Sequence, residues 1–221
     1  MLKSIKKLYG DKLKALDGDI GHVEDFYFDD QDWVVRYVVA NTGTWLSERL
    51  VLLSPHAFGE ILPDCLSVNL TRGQIEKSPT IDSHKPVSRQ HEEEYYRYYG
   101  WPSYWDGIET WGGTGFSVAP PPLEEIANQE KTAISLGKDN DIHLRSVQGV
   151  IGYHIHTSEG SIGHVTDFLM DDTSWAVHQL VVKTGIWFAG KEVRILPTQI
   201  DRISFDESTV FVNIPMSDLK L

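Results

Sequence analysis

The chain has 221 residues, 41% hydrophobic and 11% aromatic, enough to bury one or two ordinary cores. Its net charge of −12 and pI near 5.1 exclude the basic field that nucleic acid or anionic lipid would require, and favour a partner with a basic rim. The single cysteine, Cys65, excludes an intramolecular disulfide, and no apolar run reaches signal-peptide or spanning-helix length, so a cytoplasmic protein with no membrane span is expected.

The first predicted element is an extended run from Gly18 to Phe28, stopped by the polar cluster Asp29-Asp30-Gln31-Asp32. A second strand, Trp33 to Ala40, places Trp33, Val35, Tyr37 and Val39 on one face by its two-residue period. Its other face, with Val34, Val38 and Ala40, is also apolar. A strand buried on one side only has no need of that, so cover by a sister domain, a connector or a second chain is expected. Asn41-Thr42-Gly43 supplies a tight turn before a third run that carries Trp45 and ends at Pro55. Cys65 reads as a small apolar residue entering a later strand.

A connector follows, over residues 81–141. Ser88 as N-cap, the acids Glu92-Glu93-Glu94 and Gly100 past the end frame a short helix. Tyr95 to Trp105 packs seven aromatics into eleven residues. Rings at that density, among them Tyr95, Tyr98, Trp101 and Trp105, read as a lining for apolar faces rather than as a stacking surface for a ligand. Ala119-Pro120-Pro121-Pro122 then stiffens the chain before an amphipathic stretch, Leu123 to Glu130.

Beyond the connector the first pattern returns at a fixed offset of 142 residues, Ser4 matching Ser146. Gly18, Gly21, His22, Asp25, Phe26, Asp29, Asp30, Trp33, Gly43, Trp45 and Pro55 meet Gly160, Gly163, His164, Asp167, Phe168, Asp171, Asp172, Trp175, Gly185, Trp187 and Pro197. The register then slips, and Val68-Asn69-Leu70 meets Val212-Asn213-Ile214. The chain therefore reads as two copies of one small domain, residues 1–80 and 142–221, with a strand every ten residues or so and glycines suited to the bends of a small closed sheet.

Each copy carries the phrase Gly-x-Ile-Gly-x-Val-x-Asp-Phe, from Gly18 and again from Gly160. Asp-Asp, Trp, a Val-rich strand, Thr-Gly-x-Trp and a Val-x-x-x-Pro ending follow each time. This pattern resembles the PRC-barrel domain shared by the cytoplasmic part of the photosynthetic reaction-centre H subunit and the ribosome maturation factor RimM. Pro86 to Glu92 resembles a phrase in the aromatic linker of other tandem bacterial PRC-barrel proteins. The resemblance implies an all-β fold of two small six-stranded PRC-type barrels with a partly helical aromatic connector, used mainly for docking.

Candidate chemistry is sparse. His154 and His156 lie two apart, so a strand aims both to one side, with His164 or Glu159 as a third metal ligand. Lys12 and Lys14 occupy the equivalent positions of the first copy, so no metal or cofactor is assigned. A metal-dependent hydrolase using His154 and His156 is the enzyme-class alternative. His22 and His164 recur in both copies and read as partly packed imidazoles, and the turn acids read as backbone caps rather than calcium ligands. No catalytic residue is assigned.

The function expected is non-enzymatic protein docking, with self-association. Its surface would join the second face of the central strands, Val34, Val38, Ala176 and Leu180, to Tyr95, Tyr98, Trp101 and Trp105. Modulation of an electron-transfer or membrane complex is the alternative that likeness to the H subunit implies.

Overall fold

A computed structural model describes residues 1–43, 49–81, 89–101, 144–185 and 190–214. Trp45, Ser88, Trp105, Trp187 and the stretch Leu123 to Glu130 lie outside them. The chain divides into one compact unit of Met1–Pro86 with His143–Leu221 and another of Val87–Ile142.

Within the first unit, the first repeat supplies β1 (Leu2–Ser4), β2 (Lys12–Ala15), β3 (Gly18–Asp29), β4 (Val34–Asn41), β5 (Leu50–Leu53), β6 (Phe58–Leu62) and β7 (Cys65–Val68), followed by β8 (Thr80–Ile81). The second supplies β9 (Leu144–Ser146), β10 (His154–Thr157), β11 (Gly160–Asp171), β12 (Val177–Thr184), β13 (Glu192–Ile195), β14 (Ile200–Ser204) and β15 (Thr209–Val212). The protein is thus mostly β. Two mixed sheets share one strand order, β6-β7-β2-β3-β4-β5 and β14-β15-β10-β11-β12-β13. In each, only the β2/β7 or β10/β15 pairing is parallel. Register shifts fall at matching places, between Val23 and Asp25 and between Val165 and Asp167. Such bulges bend the long strand and re-aim the carboxylate beside them.

Ring closure, implied by the barrel likeness, is absent from the pairing: among the described residues β5 and β6 are linked in sequence but not by a ladder. A 3-10 turn begun by Pro55, which has no N–H to give, stands between them, and one begun by Pro197 stands between β13 and β14.

The two repeats exchange their first strands. β1 of the first pairs with β11 of the second, Lys3 opposite Met170, while β9 of the second pairs with β3 of the first, Arg145 opposite Phe28. Between these junctions Phe28 and Phe168, both fully buried, meet at 5.2 Å. The hairpin loops complete the join: Val35 N–H donates to Trp175 O at 2.9 Å and Val177 N–H to Trp33 O at 2.7 Å.

The sequence pattern put Trp33 at the head of a strand. Instead Trp33 (φ 56°) and Trp175 (φ 59°) end the hairpin loops in the left-handed region, and the strands begin after them. That conformation is costly for a bulky side chain. It is held by Trp33 N–H donating to Asp29 O and Trp175 N–H to Asp171 O. Gly185 takes the positive φ (+88°) that its turn requires. A Cβ on Gly21 would lie 1.9 Å from Asn41 O, and one on Gly163 2.1 Å from Lys183 O, so glycine lets the paired backbones approach.

In the second unit α2 (Arg89–Tyr99), which follows α1 (Arg72–Glu76) of the first, ends at Gly100 in the left-handed conformation (φ +70°), with Trp101 N–H returning to Tyr96 O at 3.1 Å. This is a Schellman-type stop. Among the described residues no helix is long and apolar enough to cross a membrane.

Candidate functional site

The polar residues that recur in both repeats meet at the junction. Ser4 and Ser146 are N-caps of the one-turn helices Ile5–Leu8 and Val147–Val150. Each of these turns lies on the carboxylate of the opposite repeat. Ser146 Oγ and Gln148 N–H donate to Asp25, while Ser4 Oγ and Lys6 N–H donate to Asp167. Both aspartates also accept the next residue's N–H at 2.7 Å. The charged ends follow suit, Arg145 pairing with Asp30 and Lys3 with Asp172.

The symmetry breaks at Tyr9, whose hydroxyl donates to Asp25 and whose counterpart is Ile151. Asp25 is buried, and desolvation raises its pKa above the ordinary carboxylate value despite four hydrogen-bond donors. Burial and the adjacent carboxylate likewise raise the Tyr9 phenol. A carboxyl that binds its proton more tightly folded than unfolded supplies stability at low pH, lost as pH rises from the unfolded value near 3.9 through the folded one. Asp25→Asn keeps the Oδ1 acceptor and can donate to Ser146 Oγ. Its stability relative to wild type should therefore rise between about pH 4 and pH 7. Urea midpoints at both ends check this; a constant difference, or one moving the other way, refutes it.

The turn acids cap backbone. Asp29 Oδ1 accepts from Gln31 and Asp32 N–H, and Asp171 Oδ1 from Thr173 and Ser174 N–H. Arg36, buried on β4, places Nη2 2.6 Å from Asp32.

Trp33 and Trp175, equivalent in sequence, differ in cover. Trp175 is buried, its ring 5.2 Å from that of Phe58. Trp33 is half-buried and packs on Phe28 at 5.5 Å. Beside Trp33 an open groove of about 630 Å³ runs over Ala176, Pro197, Thr198 and Ile200, with Asp32, Asp201 and Arg202 also in its lining. Ile200 stands where the first repeat has Phe58, and Ala176 where it has Val34. Smaller side chains on this side leave the space unfilled.

Val34, Val38, Ala176 and Leu180 do not form the docking face expected from the strand pattern. Val38 and Leu180 have no exposed surface, Val34 is buried, and Ala176 is half-buried and bridged to Val34 across the junction. Their cover comes from within the chain. Of the aromatics, Tyr95 is buried, Trp101 half-buried and Tyr98 exposed. Tyr99 stacks on Trp101 at 4.5 Å and Tyr95 lies 6.0 Å from Trp101, so α2 carries its own ring cluster.

His154 and His164 are cross-strand partners, His154 and His156 are exposed, and the His156 ring meets Phe211 edge-on at 5.6 Å. Among the described residues no three His, Cys, Asp or Glu side chains come together as a metal site. The set weighed from spacing, His154 and His156 with His164 or Glu159, is therefore not assembled among these residues. His22 is exposed, with Nε2 3.4 Å from Glu24.

The groove went unnoticed in sequence reasoning, although the Phe58/Ile200 and Val34/Ala176 differences between the copies were its visible signal. No protein-family model matches the chain, and no curated protein matches it.

Proposed function

We propose that the chain is a non-catalytic docking protein, built of two PRC-barrel-like repeats, that binds another protein. The shared six-strand order supports the barrel likeness. The use made of the repeated polar groups carries the functional reading. Asp25 and Asp167 cap the opposite repeat's first turn, and Asp29 and Asp171 cap their own loops. Recurrence of those acids is thereby accounted for by folding. The exposed imidazoles of His154 and His156 replace Lys12 and Lys14, so they are not part of what is repeated. The acidic charge favours a partner with a basic rim, either a different protein or a second copy.

Affinity capture followed by reconstitution with the purified partner tests this. A stoichiometric complex by light scattering, weakened by added salt, is the expected result. Failure to retain any protein would count against docking. Substrate turnover lost in a folded His164→Ala variant would establish an enzyme instead.

A further inference from the structure

The internal symmetry offers a template for what the Trp33 groove holds. On the filled side, the Trp175 ring is covered by Phe58, the first residue of β6, and the equivalent of Ala176 is the larger Val34. On the open side the same tryptophan, on the same loop conformation, faces Ile200 and Ala176. Val34 to Ala176 and Phe58 to Ile200 each remove side-chain volume next to an indole that both repeats retain. An aromatic ring supplied from outside would restore the packing that the chain builds for itself on the other side. Aromatic pairs prefer the offset or tilted arrangement seen for Phe58 and Trp175, and gain beyond their buried area from it.

The groove's edge supplies a charge preference. The Asp32 side chain is 65% exposed while touching Arg36, and Asp201 is exposed and accepts from Asn213 Nδ2. Arg202 is held over the Phe211 ring at 3.9 Å and 3.8 Å from Glu207, so its charge is partly answered within its own hairpin. With the whole chain at −12, residues flanking the incoming ring are favoured when basic.

We infer that the groove between the Asp30–Trp33 loop and β14 is a peptide-docking site whose occupant places an aromatic side chain on Trp33, flanked by lysine or arginine. This rests on the docking reading above and names the surface and partner chemistry. The ring is the anchor, since a buried aromatic in a partly formed pocket dominates small interfaces. The acids orient the segment and speed encounter.

The probe is the capped tripeptide acetyl-Lys-Phe-Lys-amide, compared with acetyl-Lys-Ala-Lys-amide and acetyl-Glu-Phe-Glu-amide, on the full chain by NMR of the Trp33 indole. The Phe peptide should shift that resonance and saturate, with the Ala peptide about tenfold weaker or worse. The Glu peptide should be weaker again in low salt. Ile200→Phe, which fills the groove as Phe58 fills its counterpart, should abolish the shift while leaving the thermal midpoint at or above wild type. Asp201→Lys, an exposed change, should weaken the Lys-Phe-Lys peptide several-fold even if Ile200→Phe disturbs folding. Equal response to the Phe and Ala peptides, or shifts centred away from Trp33, overturn the inference. A reconstituted protein partner whose affinity is untouched by both variants also overturns it while leaving the docking reading intact.

Discussion

Trp175→Ala should lower the stability of the fold by about 3–5 kcal/mol, as expected for truncating a buried aromatic. Trp33→Ala should cost about 1–2 kcal/mol, because part of that ring is still in water. Both indoles leave the same left-handed loop position, and both carbonyls accept a bond from the opposite repeat, so backbone effects are matched. What differs is cover: Trp175 has Phe58, and Trp33 has Ile200 with open space. Urea titration followed by circular dichroism separates the two variants. Equal losses would mean that the groove beside Trp33 is closed in solution.

The fold was legible where its causes are local or recur. The offset between Ser4 and Ser146, the glycines at close backbone approach and the turn acids gave the strands, the loops and the capping role of Asp29 and Asp171. The apolar second face of β4 announced that something covers it. The exchange of β1 and β9 was not legible, because it is a long-range pairing that leaves no periodic mark on either short strand. Val34, Val38, Ala176 and Leu180 were read as a surface because alternation shows that a face is apolar and not what lies against it; Val34, Val38 and Leu180 are buried. Trp33 and Trp175 were placed on strands because alternation counts residues and is blind to φ. The groove lay in the differences between the copies, at Phe58/Ile200 and Val34/Ala176, whereas the repeat itself drew the eye to identities.

Gly163→Ala should weaken the first repeat along with the second. Its Cβ would fall 2.1 Å from Lys183 O on the paired strand, too close for any side-chain adjustment to relieve, so β11 and β12 must part at a cost of about 3 kcal/mol or more. If the repeats were beads on a string, that loss would stay in the second. But β11 also carries β1, Asp167 caps the helix that begins at Ser4, and Val35 N–H depends on Trp175 O. Opening the second repeat therefore removes a strand partner, a cap and a ladder bond from the first, and the two should unfold in one cooperative transition. Native-state hydrogen exchange reads this directly, since amides that exchange only by global unfolding report the same free energy wherever they lie. In Gly163→Ala, protection in β4 should fall by as much as in β12. Wild-type protection retained in β4 while β12 exchanges freely would show that the repeats fold independently and that the exchanged strands hold little of the stability.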